Sequence, residues 1–281
     1  MRRVETRGVQ LATATFGKRS DPAVLLIMGA TASMLGWPDE LCEALAARGL
    51  FVIRFDHRDT GQSTTVPPGL TTYAVEDLAE DVVAILDAYA ITEVNLVGMS
   101  LGAYIAQMVA VTHSAKVRSL TLISAEPLGW DGPALPQISE EFLGHFATLG
   151  DLDWSDRQAV TRFLLTTERL CANQSEAFDE EKMTARIAQI LSRTQSPASM
   201  FNHGTLQTRE DWTGRFRDIA WPVLVIHGER DPILPPANGR AIAENLPQAR
   251  FLLLPKTGHE LPDAAIPAIA ESMAQLIKGK V

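Results

Sequence analysis

The chain has 281 residues, of which 46% are hydrophobic and 21% charged, so it is long enough to bury one large core. Its net charge of −9 comes without a Lys/Arg-rich cluster, which argues against binding to nucleic acid or to an anionic membrane. Cys42 and Cys171 form neither a disulfide framework nor a C-x-x-C metal site, which fits a reducing compartment. Neither a signal peptide nor a membrane-spanning run is apparent, so we expect a cytoplasmic protein.

Strand and helix patterns alternate along the chain. Two N-terminal strands are predicted at Arg3–Thr6 and Gln10–Phe16, followed by six short apolar strands at Ala23–Met28, Phe51–Phe55, Val94–Val97, Val117–Ile123, Val223–His227 and Phe251–Leu254. Strands that are apolar on both faces are typical of a parallel sheet covered by helices. Amphipathic segments predict helices at Pro38–Arg48, Tyr73–Tyr89, Leu101–Thr112, Pro236–Asn245 and Pro262–Lys278. The pattern predicts an α/β fold with a mostly parallel, doubly wound sheet.

The alternation is interrupted once, between Ser124 and Trp221. That segment has no convincing strand pattern, and helices are predicted at Asp156–Ala172, Glu180–Arg193 and Ser199–Thr208. An insertion that leaves the carboxyl edge of a parallel sheet lies over the place where α/β proteins bind ligands. We therefore expect a core domain of residues 1–124 and 221–281 and a helical cap of residues 125–220.

The sequence Gly98-Met99-Ser100-Leu101-Gly102 is a G-x-S-x-G motif between a buried strand and an apolar helix. This is the context of a nucleophile elbow, a turn so tight that the positions two before and two after the serine must lack bulk. Ser100 is therefore a candidate nucleophile. The alternative is a chance motif in which Ser100 only caps the helix.

A serine nucleophile needs a general base, and histidine is the residue that most often serves. His259 lies in a polar loop between the last predicted strand and the last helix, from which it can reach Ser100 across the sheet edge. His57 also directly follows a strand and is the alternative base. The remaining histidines are typical of surface, cap or core positions: His113, His145, His203 and His227.

The base needs an acid that orients it, and the oxyanion needs two backbone donors. Asp231 follows a buried strand and precedes a proline, whereas Glu126, after the strand that ends near Ser124, is the alternative acid. One donor is the N–H of Leu101, at the positive end of a helix. The other is expected in the loop at Gly29, where the N–H of Ala30 is available.

Five segments together resemble the α/β-hydrolase superfamily over nearly the whole chain: LLIMGATASMLGWPDEL, FVIRFDHRDTGQST, LVGMSLGAYIAQ, LVIHGERDPILPP and LPKTGHELP. Within it, MGATASMLGWPDE and RFDHRDTGQSTT are similar to the aclacinomycin methylesterase type of bacterial enzyme. The resemblance implies Ser100 as nucleophile, Asp231 as acid and His259 as base, with Ala30 and Leu101 as oxyanion donors. It also implies hydrolysis of a carboxylic ester, with removal of a methyl ester as the precedent, and neither metal nor cofactor.

The expected partner is a small ester, and the sequence does not indicate an oligomeric state. Candidates for the substrate pocket are Gly29 and Met99 beside the elbow and the apolar cap residues Phe142, Trp154, Phe163, Met183, Met200, Phe201 and Trp212, each of which is alternatively part of the cap core. A cofactor-free perhydrolase or a C–C bond hydrolase uses the same triad. A ligand receptor built on the same fold is the alternative outside enzymes.

Overall fold

In the computed structural model, which describes residues 1–173 and 178–279, one eight-stranded sheet carries helices on both faces. The strands are β1 (Arg2–Thr6), β2 (Val9–Phe16), β3 (Ala23–Ile27), β4 (Phe51–Phe55), β5 (Val94–Met99), β6 (Val117–Ile123), β7 (Val223–Gly228) and β8 (Ala249–Leu254). The α-helices in these ranges are α1 (Asp39–Ala47), α2 (Val75–Ala88), α3 (Leu101–Thr112), α4 (Glu140–Ala147), α5 (Arg157–Cys171), α6 (Glu180–Arg193), α7 (Ala237–Asn245) and α8 (Ile266–Ile277). None of them is long and apolar enough to cross a membrane.

The strand order is β1-β2-β4-β3-β5-β6-β7-β8. The pairs β1–β2 and β2–β4 are antiparallel, and all the other pairs are parallel, which confirms the predicted mostly parallel sheet. After β3 the chain turns to β4 on one side, and it later returns to β5 on the other side of β3. Such a switch in direction leaves a crevice outside the carboxyl ends of β3 and β5.

The central strands are buried on both faces because helices cover the sheet from both sides. In β3, Leu25 and Ile27 pack in a cluster with α2 and α3, whereas Val24 and Leu26 face the opposite cluster with α1 and α8. All five residues of β3 and of β4 are buried. Their densely apolar sequences thus follow from burial on two faces rather than one.

Residues 125–220, called the insertion below, follow β6 and contain α4, α5 and α6 but no strand in the part that the structure describes. The helical segment predicted at Ser199–Thr208 is present as a 3₁₀ helix over Ala198–Thr205 and not as an α-helix. The side chains of Asn202 and His203 turn inward and bond to the core, and this tight packing accompanies the tighter winding. Helix α4 was not predicted.

Two arginines of α6 fasten the insertion to the core. Arg186 donates to the carbonyl oxygen of Gly36 over 2.7 Å, and Arg193 donates to both carboxylate oxygens of the buried Asp56 over 3.0 and 2.7 Å. Asp56 also accepts the N–H of Met34 over 2.8 Å. These charge-assisted bonds hold the insertion over the carboxyl ends of β3 and β4.

Candidate active site

Ser100 occupies the turn between β5 and α3 in a strained backbone conformation, with φ of 53° and ψ of −121°. Its neighbours two positions away have no room for side chains. A Cβ at Gly98 would lie 2.2 Å from the carbonyl oxygen of Gly102, and a Cβ at Gly102 would lie 2.0 Å from that of Ile27. Backbone atoms limit the space at both positions, so only glycine fits, and the turn holds Ser100 at the end of β5.

Asp231 and His259 form a hydrogen-bonded pair at the neighbouring strand ends. Asp231 Oδ2 lies 2.7 Å from His259 Nδ1, and Asp231 Oδ1 accepts the N–H groups of Ile233 and Leu234 over 2.9 and 2.8 Å. Burial opposes ionisation of Asp231, but the charge of His259, its hydrogen bond and the nearby His227 outweigh it, so the pKa of Asp231 lies below its ordinary value. The carboxylate therefore stays ionised and orients the imidazole.

Ser100 and His259 line the same cavity, which has a volume of about 290 Å³ and also meets Gly29 and Ala30. Because Nδ1 of His259 is bound to Asp231, Nε2 is the ring nitrogen left for proton transfer. Among the described residues no hydrogen bond joins Ser100 to His259, whose side-chain partner is Asp231. In the same residues the N–H groups of Ala30 and Leu101 donate to no other protein group.

The structure brings most of the predicted pocket residues to this cavity: Gly29, Met99, Phe142, Met183, Met200 and Phe201. Three other predicted pocket residues do not line the cavity, and their assignment is corrected: Trp154, Phe163 and Trp212. Trp212 packs in the core beside α2 and donates its indole N–H to Glu76 over 2.9 Å. Trp154 packs on the small cluster between α5 and α6, and Phe163 stacks on His145 with ring centroids 4.2 Å apart.

The sequence interpretation missed the polar residues of the pocket. Glu168, Cys171 and Arg186 line it from the insertion and Glu260 from the loop of His259. Burial raises the pKa of Glu168 and of Glu260, so these carboxyls hold a proton more readily than exposed ones. The carbonyl oxygen of Cys171 accepts the backbone N–H of His259 over 2.7 Å.

Helical spacing is the signal that identifies three of these residues, Glu168, Cys171 and Arg186. In α5 the cavity is lined by Leu164, Thr167, Glu168 and Cys171, and in α6 by Met183, Arg186, Ile187 and Ile190. Both sets follow the i, i+3, i+4, i+7 spacing of one helix face. The spacing along each helix, rather than its single aromatic residues, therefore indicates which face lines the cavity.

The two alternative site residues lie away from the cavity. His57 is fully buried and its Nε2–H donates to the carbonyl oxygen of Met28 over 2.9 Å. Burial, followed by the nearby His203, lowers the pKa of His57 to about 3. Glu126 is exposed and has no hydrogen bond to His259, whose partner is Asp231. Within residues 1–173 and 178–279 no group of three His, Cys, Asp or Glu side chains is arranged to hold a metal ion.

The family model for the alpha/beta hydrolase fold matches residues 22–263, and the chain belongs to this family. Rhodomycin D methylesterase DauP of Streptomyces sp. (strain C5) is 31% identical over an alignment of 282 positions, gaps included, that covers 94% of each chain. Rhodomycin D methylesterase DnrP of Streptomyces peucetius is 30% identical over an alignment of 280 positions, which again covers 94% of each chain. The bromoperoxidase structure from Bacillus anthracis covers 99% of both chains with a TM-score of 0.80 and 19% identity. The predicted fold and family resemblance are confirmed.

The crowding at the elbow predicts a sharp difference between glycines. Gly98→Ala and Gly102→Ala should each destabilise the fold by about 3 kcal/mol or more, because the new methyl group overlaps backbone atoms. Gly144→Ala is the matched control, since that exposed residue of α4 has open space and alanine favours a helix. Urea denaturation measures the free energy of unfolding, and equal values for the three variants would contradict the crowding.

The buried His57 predicts that stability falls in mild acid. The unfolded chain takes up a proton near pH 6.5, whereas the folded chain does so only near the pKa of about 3. The contribution of His57 to the free energy of unfolding is therefore fully present above pH 6.5. It decreases by up to about 1.4 kcal/mol per pH unit as the pH falls toward 3. Urea denaturation between pH 7.5 and 5 should show a smaller decrease for His57→Gln, and an equal decrease would refute this contribution.

Proposed function

We propose that this protein is a serine hydrolase that cleaves a carboxylic ester through Ser100, His259 and Asp231. The observation that carries the proposal is the shared cavity. It is lined both by the strained Ser100 and by His259, whose Nδ1 lies 2.7 Å from the buried carboxylate of Asp231. Two relatives that are named methylesterases and match 94% of the chain support ester hydrolysis.

In this mechanism Nε2 of His259 takes the hydroxyl proton as Ser100 Oγ attacks the ester carbonyl carbon. The N–H groups of Ala30 and Leu101 receive the oxyanion, each contributing roughly 2.7–4 kcal/mol of transition-state stabilisation in comparable sites. His259 then returns the proton to the leaving alcohol, and the carbonyl carbon remains bonded to Ser100. A water molecule, deprotonated by His259, attacks that carbon. The bond from the carbon to Ser100 Oγ then breaks as His259 returns the proton to Oγ, which releases the acid and restores the serine.

We further propose that the substrate is a methyl ester of an apolar, ring-containing acid of the polyketide type. The methylesterase relatives supply the precedent for the alcohol. The pocket walls supply the argument for the acid, because Phe142, Phe146 and Phe201 with several methionines line the cavity. Such walls favour a flat apolar acyl group, and its burial contributes about 25 cal/mol per Å².

Loss of the nucleophile tests the mechanism directly. Ser100→Ala should lower kcat for p-nitrophenyl acetate and butyrate by roughly 10⁴-fold or more, because the covalent step requires the hydroxyl oxygen. Asp231→Asn should also lower kcat by several orders of magnitude, since the imidazole loses the partner that orients it. Comparable turnover by Ser100→Ala and the unmodified chain would refute a serine hydrolase, and little turnover by the unmodified chain would favour a receptor.

A series of methyl esters tests the substrate. The kcat/KM for methyl esters of fused-ring aromatic acids should exceed that for methyl acetate by roughly 100-fold, because about 100–150 Å² more apolar surface is buried. Phe201→Ala should reduce this preference and leave turnover of p-nitrophenyl acetate within about threefold. Chromatography of the released acid measures both. Rapid cleavage of p-nitrophenyl acetate with no methyl ester cleaved would exclude this substrate class and retain the mechanism.

A further inference from the structure

Two histidines outside the cavity hold the backbone that presents the N–H of Ala30. On one side the carbonyl oxygen of Met28 accepts the Nε2–H of His57, and on the other the N–H of Thr31 donates to His203 Nδ1 over 3.1 Å. Thr31 has a φ of 62°, a left-handed conformation that is costly for a β-branched residue. Such a conformation persists only where surrounding contacts impose it, and the hydrogen bond that Thr31 donates to His203 is such a contact.

The hydrogen bonds of His203 determine its protonation state. Its Nδ1 accepts from Thr31 and is therefore unprotonated, so the proton lies on Nε2, which donates to the carbonyl oxygen of Arg58 over 2.8 Å. Only 5% of the residue is exposed. Burial lowers the pKa of His203, which agrees with a neutral ring. One imidazole thus joins two backbone groups of the core, one of them next to Ala30.

The segment that carries His203 is itself anchored. Asn202 donates to Asp59 Oδ2 over 3.0 Å and accepts the N–H of Gly69 over 2.9 Å, and the hydroxyl of Ser199 donates to the carbonyl oxygen of Val66 over 2.7 Å. The position of the imidazole is therefore determined by several bonds besides its own.

The same segment reaches the cavity on its other side. Met200, Phe201 and Gly204 line the cavity, whereas His203 does not. This short segment of the insertion thus contacts both the cavity and the loop that contains Ala30 and Thr31. The imidazole of His203 itself reaches neither the substrate nor the reacting atoms.

We propose that His203 is a positioning residue for ester hydrolysis, which sets the direction of the Ala30 N–H through its bond to Thr31. This inference rests on the proposed function, since an oxyanion donor matters only if an oxyanion forms. Its contribution is made in the transition state, so its loss lowers kcat and leaves KM nearly unchanged.

The two amide variants separate the two bonds of the imidazole. His203→Asn keeps an oxygen near the place of Nδ1, where it accepts from Thr31, but it is too short to reach Arg58. His203→Gln keeps a donor near the place of Nε2 for Arg58 but offers Thr31 no acceptor at the Nδ1 position. Activity and stability should therefore be affected in different ways by the two substitutions.

Steady-state kinetics with p-nitrophenyl butyrate and thermal melting are measured on both variants and on Ser100→Ala. We expect His203→Gln to lower kcat by roughly 10- to 100-fold with KM within about twofold, which is less than the loss of a whole donor. His203→Asn should keep kcat within about threefold. Equal losses of kcat, or losses that follow the melting temperatures, would show a merely structural role and overturn the proposal.

Nitrogen-15 NMR of the unmodified protein supplies a test that does not depend on whether a variant folds. The assigned ring of His203 should carry its proton on Nε2 and none on Nδ1 at neutral pH, and a proton on Nδ1 would overturn the proposal. The kinetic outcomes distinguish failure of the proposed function from failure of the role proposed for His203. If Ser100→Ala retains full activity, the proposed function fails; if Ser100→Ala is inactive and His203→Gln is unaffected, only the role of His203 fails.

Discussion

The close approach of backbone to backbone where β5 turns into α3 is the constraint on which the candidate site depends. Gly102 packs against the end of β3, where a Cβ would lie 2.0 Å from the carbonyl oxygen of Ile27. A Cβ at Gly29 would in turn lie 3.3 Å from Cβ of Ser100. Because Gly29 and Gly102 have no side chains, the ends of β3 and β5 can approach closely. The end of β5 then presents the hydroxyl of Ser100 beside the N–H of Ala30, which follows β3. The strain at Ser100 is maintained by this packing.

The three histidines around the site, His57, His203 and His259, differ in burial and therefore in the role each can have. His57 and His203 are both buried and bond to backbone groups of the loops that surround the site. Both ring nitrogens of His203 are bonded, whereas His57 is bonded through Nε2 alone and its buried Nδ1 has no partner among the described residues. His259 is only partly buried, its Nδ1 is bound to Asp231, and the residue lines the cavity. A histidine serves as a base where one nitrogen is held and the other reaches substrate, and His259 alone among these three meets that condition.

The sheet and the residues at its strand ends were predictable because their patterns are local. A buried strand, a G-x-S-x-G turn and an apolar helix locate Ser100, and similar strand ends locate Asp231 and His259. The pocket wall was less predictable, because an aromatic residue of the insertion can face either the cavity or the core, and Trp212 faces the core. The helical segment near Ala198–Thr205 was predicted, but its 3₁₀ winding was not, since its side chains bond to distant loops that no local pattern reveals.

The insertion supports backbone on two sides of the cavity, besides supplying its walls. The carbonyl oxygen of Cys171 at the end of α5 accepts the N–H of His259, and a Cβ at Gly258 would lie 1.9 Å from that oxygen. On the opposite side His203 bonds to Thr31. The loop that contains His259 and the loop that contains Ala30 and Thr31 are therefore each in contact with the insertion, which lines the pocket. We therefore expect a change in the insertion that admits a different acyl group to shift also the groups proposed to act on the ester, because both depend on the same segment.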